Sequence, residues 1–456
     1  MKRFPAIAFV AALILSSCGT PTSTNETRVP TQLGGKTPEP AQTVEGVSRI
    51  EVQADALRGI EIDVWHPWFD VEESLFNSMV EDFNRTNPYG IKVISSAQIN
   101  FGNLYENVTQ ALPREERPDL AIALPEHAQG WDAEGVVADM SIYVQDPVYG
   151  FDPADFPSAF WEQDHAGDRR AAFPAQRTAQ FLLWNKSWAG ELGFDSLPAL
   201  AEDFRQQACR AHQSMRSDSA AENDAMGGWV LDMEPMTAYS WLLAFDGGVL
   251  EGDNYRILTP NNIKAFQFLK KLAEDGCAWQ TSGDPLDAFV HRQALFVTAS
   301  LEDLPEIARS LAAVQNSDEW SVMPFPGETA SAFVIYGSSY VILSATPEEE
   351  LASWIFVRWM LEPAQDARRV QATHLFPLRT STMDLLADYQ ASHPHWAEAV
   401  NLLDEGDLQP QLGSWRTVKI MLGDGFTDMF TRPDVSSGQV AKVLQQMQDI
   451  ARELNQ

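Results

Sequence analysis

The groupings best equipped for chemistry are a histidine between tryptophans in Trp65-His66-Pro67-Trp68, the pair Glu126-His127, and Ser300 two residues ahead of Glu302. Arg177 and Arg379 each carry a planar fork that matches a carboxylate or phosphate. Thr178 and three more indoles, Trp229, Trp241 and Trp415, complete a set suited to lining a wall. Aromatic faces pack on the C–H faces of sugar rings while carboxylates and amides take the hydroxyls, so the set points to carbohydrate binding. With 14 Trp in the chain, several must be core, and Trp184, Trp354, Trp359 and Trp396 read that way.

The groupings needed for turnover do not form. No H-E-x-x-H and no clustered His, Cys and Glu occur at ligand spacing, which argues against a metal or other cofactor. No G-x-S-x-G is present to activate a nucleophile. Glu126 and Glu302 match a glycosidase pair in type alone, because their separation in space is not given by sequence. Gly35-Lys36-Thr37 looks like the end of a phosphate-binding loop, but Pro30 stands where the first Gly is needed. The expectation is a binding protein, not an enzyme.

These residues need elements to hold them. Ile60 to Trp65 alternates as a strand, and Val71, Leu75, Phe76, Met79, Val80 and Phe83 keep helical spacing, with Asp70 and Glu73 as a capping box at its start. Ile91 to Ile94 supplies a second strand, so the first unit is βαβ with parallel strands. Leu104 to Leu112 reads as helix and Asp119 to Leu124 as a buried strand. Leu200 to His212 is helical, Ile263 to Leu272 forms an apolar helix face ended by Gly276, and Val440 to Leu454 does the same near the C-terminus. In such α/β architecture ligands gather beyond the C-terminal ends of parallel strands. Trp65 to Trp68, Glu126 with His127, and Ser300 to Glu302 all follow strands.

At 456 residues the chain exceeds what one core accommodates, so two lobes are expected. A formal charge of −32 repels nucleic acid and anionic lipid. Lys2 and Arg3 precede an apolar stretch, Ala6 to Leu15, about half the ~20 residues of a membrane span, which reads as a secretion signal over residues 1–17. Leu15-Ser16-Ser17-Cys18 is similar to the lipobox of bacterial lipoproteins, which implies acylation at Cys18 and anchorage to the outer face of the cytoplasmic membrane. Thr and Pro dominate Gly19 to Val47, and residues 18–57 are assigned to the lipidated Cys and a disordered tether. Cys209 and Cys277 then remain as an even pair in an exported chain, which predicts a disulfide.

A series of ordered segments carries a wider resemblance. Trp65-His66-Pro67-Trp68, Glu81-Asp82-Phe83-Asn84-Arg85-Thr86-Asn87-Pro88, Pro118-Asp119-Leu120, Glu134 to Met140, Phe173-Pro174, Leu183-Trp184-Asn185-Lys186, Asp246-Gly247-Gly248 and Phe376-Pro377-Leu378-Arg379 follow one another as they do in a known family. The chain thus resembles the extracellular solute-binding proteins of ABC importers, the family that includes maltose- and glycerol-phosphate-binding proteins. Leu197 to Phe204 lacks the family's Thr-Trp pair, and Arg292 to Phe296 lacks its Gly.

The resemblance implies an α/β fold of two lobes, the type II-like periplasmic-binding-protein fold, with a mixed, mostly parallel sheet in each lobe and a hinge between them. Residues 58–175 plus 325–342 are expected to form the N-lobe and 176–324 plus 343–456 the C-lobe. It adds Tyr336, in a returning hinge strand Phe333 to Leu343, and Arg379 to the ligand set, and places Arg177 and Thr178 at the lobe crossing. The expected function is a monomeric receptor that closes on a small solute, most simply a sugar, and delivers it to an ABC permease. A phosphorylated polyol or other anionic solute is the alternative, for which the two arginines speak. A surface glycosidase and a receptor feeding a sensor kinase stand behind it.

Overall fold

The computed structural model describes residues 48–114 and 117–454. Cys18, the secretion signal and most of the proposed tether lie outside the described residues. At the start of the described chain, Ser48 Oγ and the Arg49 backbone N–H donate to Asp146 at 3.0 and 2.7 Å. A short 3-10 turn, Ala54–Leu57, buries Leu57 in the core. Residues 48–57 therefore belong to the folded body, not to a disordered tether.

The strand Glu61–His66 sits between Lys92–Ala97 and Leu120–Ala123, parallel to both, and Ser339–Ile342 and Phe173–Pro174 extend this first sheet antiparallel. Alternation in the first strand buries Ile62, Val64 and His66, as its sequence period demands. The helix Asp70–Thr86 covers it with Phe76, Met79, Val80 and Phe83. The capping box expected at Asp70 and Glu73 does not form: Phe69 is the N-cap, no side chain caps the turn, and Asp70 itself has φ 49°.

A second mixed sheet runs Ala278–Trp279, Trp229–Val230, Phe296–Ser300, Thr178–Asn185, Val334–Tyr336 and Asp407–Leu408, with Trp320–Met323 also paired to Thr178–Asn185. Cys209 and Cys277 are bonded, tying the helix Ala201–Ser217 to the segment entering the edge strand of this sheet.

The lobe boundaries differ from expectation in the returning chain. Val334–Tyr336 pairs within the second sheet, so entry into the first sheet comes at Ser339 and not at Phe325. The helix Pro347–Met360 then packs on the first sheet, where Phe356 meets Phe76 and Phe83, and not on the second lobe. The expected single strand Phe333 to Leu343 is two strands in two sheets, broken at Gly337 and Ser338. Gly337 has φ 150°, and a Cβ there would collide with the Gln176 carbonyl oxygen, so the two crossings can lie side by side only with glycine at this position.

Candidate functional site

The crossings orient both sheets. Phe173–Pro174 leads through Ala175 to Arg177 into Thr178, so the Thr178 end of the second sheet faces the first lobe. Ser339 enters the first sheet opposite Ala123, so the C-terminal ends of the first lobe's parallel strands face back. Tyr336 pairs with Thr178, and Ser300 with Gln180, which brings both to the same edge. The strand-end edges of the two sheets are thus turned toward one another, and in this kind of fold such ends favour ligand capture.

On the second lobe, Thr178 Oγ1 donates to Glu302 Oε2 at 2.6 Å. Ser300 donates from its N–H (2.8 Å) and Oγ (2.6 Å) to Asp303, capping the turn Leu301–Asp303 and aiming Glu302. Solvent reaches the Glu302 side chain, yet protein surrounds it closely enough that burial raises its carboxyl. Asp232, held by Thr237 Oγ1 and by the Glu234 N–H at 3.2 Å, is pushed up to about 6 by burial. The Tyr336 hydroxyl is raised well above its ordinary value, first by burial, then by the carboxylates of Glu302, Asp303, Asp232 and Glu234. The charges acting most strongly on it are all negative.

On the first lobe, His66 is buried against Trp68 and Phe76, and desolvation lowers it to about 4. Trp68 is buried and donates from Nε1 to Gln176 Oε1 at 3.0 Å, while Trp65 is half-buried. Glu126 opens the helix Pro125–Ala133 and forms an ion pair with Lys419 of the second lobe. His127 is lowered to about 3 by burial, with Lys419 and Arg416 adding to the effect, and its ring lies 4.7 Å from Tyr105. The Nδ1 atoms of both histidines are buried without a hydrogen-bond partner.

Five expected ligand residues are employed elsewhere. Arg177 is fully buried, donates to Asp164 at 2.8 Å, Ser338 O at 2.5 Å and Ser339 Oγ at 3.0 Å, and also bonds Gln163, so its fork is used up within the hinge. Arg379 grips Asp155 from Nε at 2.6 Å, donates to Leu361 O, and lies over Phe151 and Phe156. Trp229 and Trp241 are fully buried, packed on each other and on Phe204, with Trp229 Nε1 directed to Thr298 Oγ1. Trp415 is buried against Tyr239, its Nε1 on Gln409. Of the remaining nine, Glu302 is exposed and Trp65 and Tyr336 are half-buried, while Thr178, Ser300, Trp68, His66, Glu126 and His127 are buried. Asp232, Glu234, Tyr105, Arg416 and Lys419 went unread; for Asp232 the apolar run Trp229-Val230-Leu231 before it was a usable strand signal.

Among the described residues no group of three or more His, Cys, Asp or Glu could hold a metal ion, and no helix is long and apolar enough to cross a membrane. No curated protein matches the sequence significantly. Among solved structures, the sugar-binding protein MalE of Xanthomonas citri matches with TM-score 0.74 at 18% identity, over 87% of this chain and 98% of that one. The cyclic alpha-maltosyl-1,6-maltose binding protein of Arthrobacter globiformis matches with TM-score 0.71 at 16% identity, over 86% and 98%. UgpB of Mycobacterium tuberculosis, solved with glycerophosphocholine, matches with TM-score 0.69 at 17% identity, over 87% and 99%. These likenesses establish the two-lobed α/β periplasmic-binding-protein fold. The sequence profile of the bacterial extracellular solute-binding proteins matches residues 78–398, and the chain belongs to that family.

Proposed function

We propose that this protein captures a carbohydrate between its lobes and delivers it to an ABC permease, tethered to the membrane through an acylated Cys18. The observation that carries the sugar reading is the second-lobe edge. Thr178 and Glu302 are hydrogen-bonded there, Glu302 is exposed, and Asp232 and the Tyr336 phenol are half-buried near them, a set of acceptors that suits a neutral ligand rich in hydroxyl donors. An anionic solute loses its main support, because both arginines that would have gripped it are bound internally. Trp65 and Trp68 stand at the first-lobe edge, though Trp68 is largely covered.

Calorimetric titration and thermal shift with glucose, maltose, maltotriose, glycerol and glycerol 3-phosphate test the reading. A neutral sugar should bind and raise the melting temperature by mass action. Glu302→Gln should weaken that sugar about tenfold or more with the fold intact, as expected for a lost charge-assisted hydrogen bond. Binding of glycerol 3-phosphate alone would reverse the assignment. The mass of the N-terminal peptide carrying Cys18 checks the anchor.

A further inference from the structure

The segment from Gln411 to Lys419 holds the two lobes together by contacts that involve no solute atom. Its ends are fixed in the second lobe. Asp407–Leu408 pairs with Val334–Tyr336, the Ser414 Oγ lies 3.0 Å from the Tyr255 hydroxyl, and Trp415 is buried with its Nε1 on Gln409. The segment's remaining side chains reach across. Gln411 accepts from the His165 N–H at 2.9 Å and donates to Glu162 O at 3.0 Å, both in the first lobe. Arg416 and Lys419, three apart and so on one face of the helix Trp415–Thr431, meet the first lobe together. The Arg416 guanidinium lies 4.4 Å from the Tyr105 ring centroid, and Tyr105 is itself stacked on Trp131. Lys419 pairs with Glu126, whose side chain is only 1% exposed, so the attraction acts where water screens it little. Between these contacts Gly413 touches Gly130: a Cβ on Gly413 would lie 2.9 Å from Gly130 Cα and N.

We propose that residues 411–419 form a clasp that draws the lobes together unaided, so that the closed form is well populated before a solute arrives. A solute then has less of the closing equilibrium to shift, and its apparent affinity gains by the fraction already closed. The pair Glu126–Lys419 and the Gly130–Gly413 contact are the two parts that opening must separate. This goes beyond the sugar reading and holds whatever the solute is.

Pulsed electron paramagnetic resonance between spin labels at Glu81→Cys and Lys271→Cys, one exposed site on each lobe, measures the separation in solute-free protein. The parent should show a dominant short distance. Gly413→Val, a wedge that changes no charge, and Lys419→Met should each shift the population to longer distances. The swap Glu126→Lys with Lys419→Glu should recover the short one, and circular dichroism should show the fold unchanged in all. Apparent affinity for whichever sugar of the panel binds should fall about tenfold or more in the wedge variant, the size expected when the competent fraction drops from about half to a few per cent. Unaltered distances in both single variants, or a parent already at the long distance, would overturn the clasp while leaving solute capture standing. Absence of sugar binding with the distance shifts intact would do the reverse.

Discussion

Two of the joins between the lobes are of opposite character. At the hinge, Ala175 to Arg177 and Gly337 to Ser338 cross side by side, the Arg177 and Asp164 side chains are completely buried, and the Arg177 fork is shared among carboxylate, amide, hydroxyl and carbonyl partners. At the other, Gln411 to Lys419 meets the first lobe through the partly exposed side chains of Gln411, Arg416 and Lys419, whose partners include the buried Glu126. A joint that must survive both open and closed forms is saturated and dry. The proposed clasp instead sets partly exposed donors against fewer, single partners. The difference teaches that a charged residue at a lobe crossing, here Arg177, belongs first to the mechanics.

The strongest way to break this contrast is Arg177→Met. It leaves Asp164 buried with its charge uncompensated, and the loss should be on the order of 3–5 kcal/mol in chemical denaturation, because an orphaned buried charge costs far more than the pair contributes. A loss below about 1 kcal/mol would show that the hinge does not depend on it.

Arg379→Ala sharpens the reassignment of that residue. Removing its bonds to Asp155 and its stacking on Phe151 and Phe156 should destabilise the first lobe by roughly 1–3 kcal/mol, the range for hydrogen bonds to charged groups. Affinity for a cognate sugar should stay within about twofold; a large loss of affinity at unchanged stability would return Arg379 to the ligand set.

The smallest effect is in pH dependence. His127 is lowered from 6.5 to about 3 and His66 to about 4, so between those values and 6.5 the unfolded chain binds protons that the folded one refuses. Their contribution to stability is present above pH 6.5 and lost as pH falls toward 3. Asp232, raised to about 6, opposes this: the folded state holds its proton longer, so that contribution is present below pH 4 and lost as pH rises through 6. His127→Leu should therefore flatten the decline in melting temperature between pH 6.5 and 4. An unchanged slope would mean that the buried imidazole does not titrate with folding.

Much of the fold was legible because burial writes a period into sequence. The alternation of Glu61–His66 and the 3.6-residue spacing in Asp70–Thr86 each have one face turned to a core, and both were readable. The even pair Cys209 and Cys277 was readable by export logic. The returning chain was not: two strands of three and four residues, Val334–Tyr336 and Ser339–Ile342, are too short to carry a pattern that distinguishes one sheet from another. At the site, a strand end located Ser300 and Glu302, the lobe crossing located Thr178, and the family resemblance supplied Tyr336. Indoles misled, since whether a ring such as Trp229 or Trp241 lines a cleft or fills a core is decided by residues far away in the chain, here Phe204 and Phe325. Arginines misled for the same reason, because nothing near Arg177 or Arg379 in sequence announces Asp164 or Asp155 as the group it will grip. Lys419 carries no tag that sets it apart from the 32 basic residues of the chain, whereas Asp232 follows the short apolar run Trp229-Val230-Leu231.

Gly130 and Gly413 both lack a side chain, and a Cβ on Gly413 would lie 2.9 Å from Gly130 Cα and N. Separating such a seam uncovers no methyl or ring for water to wet, and no rotamer has to be unlocked before movement starts. In the proposed clasp this contact parts without any rearrangement of its own side chains, and the grip rests on Glu126 and Lys419 nearby.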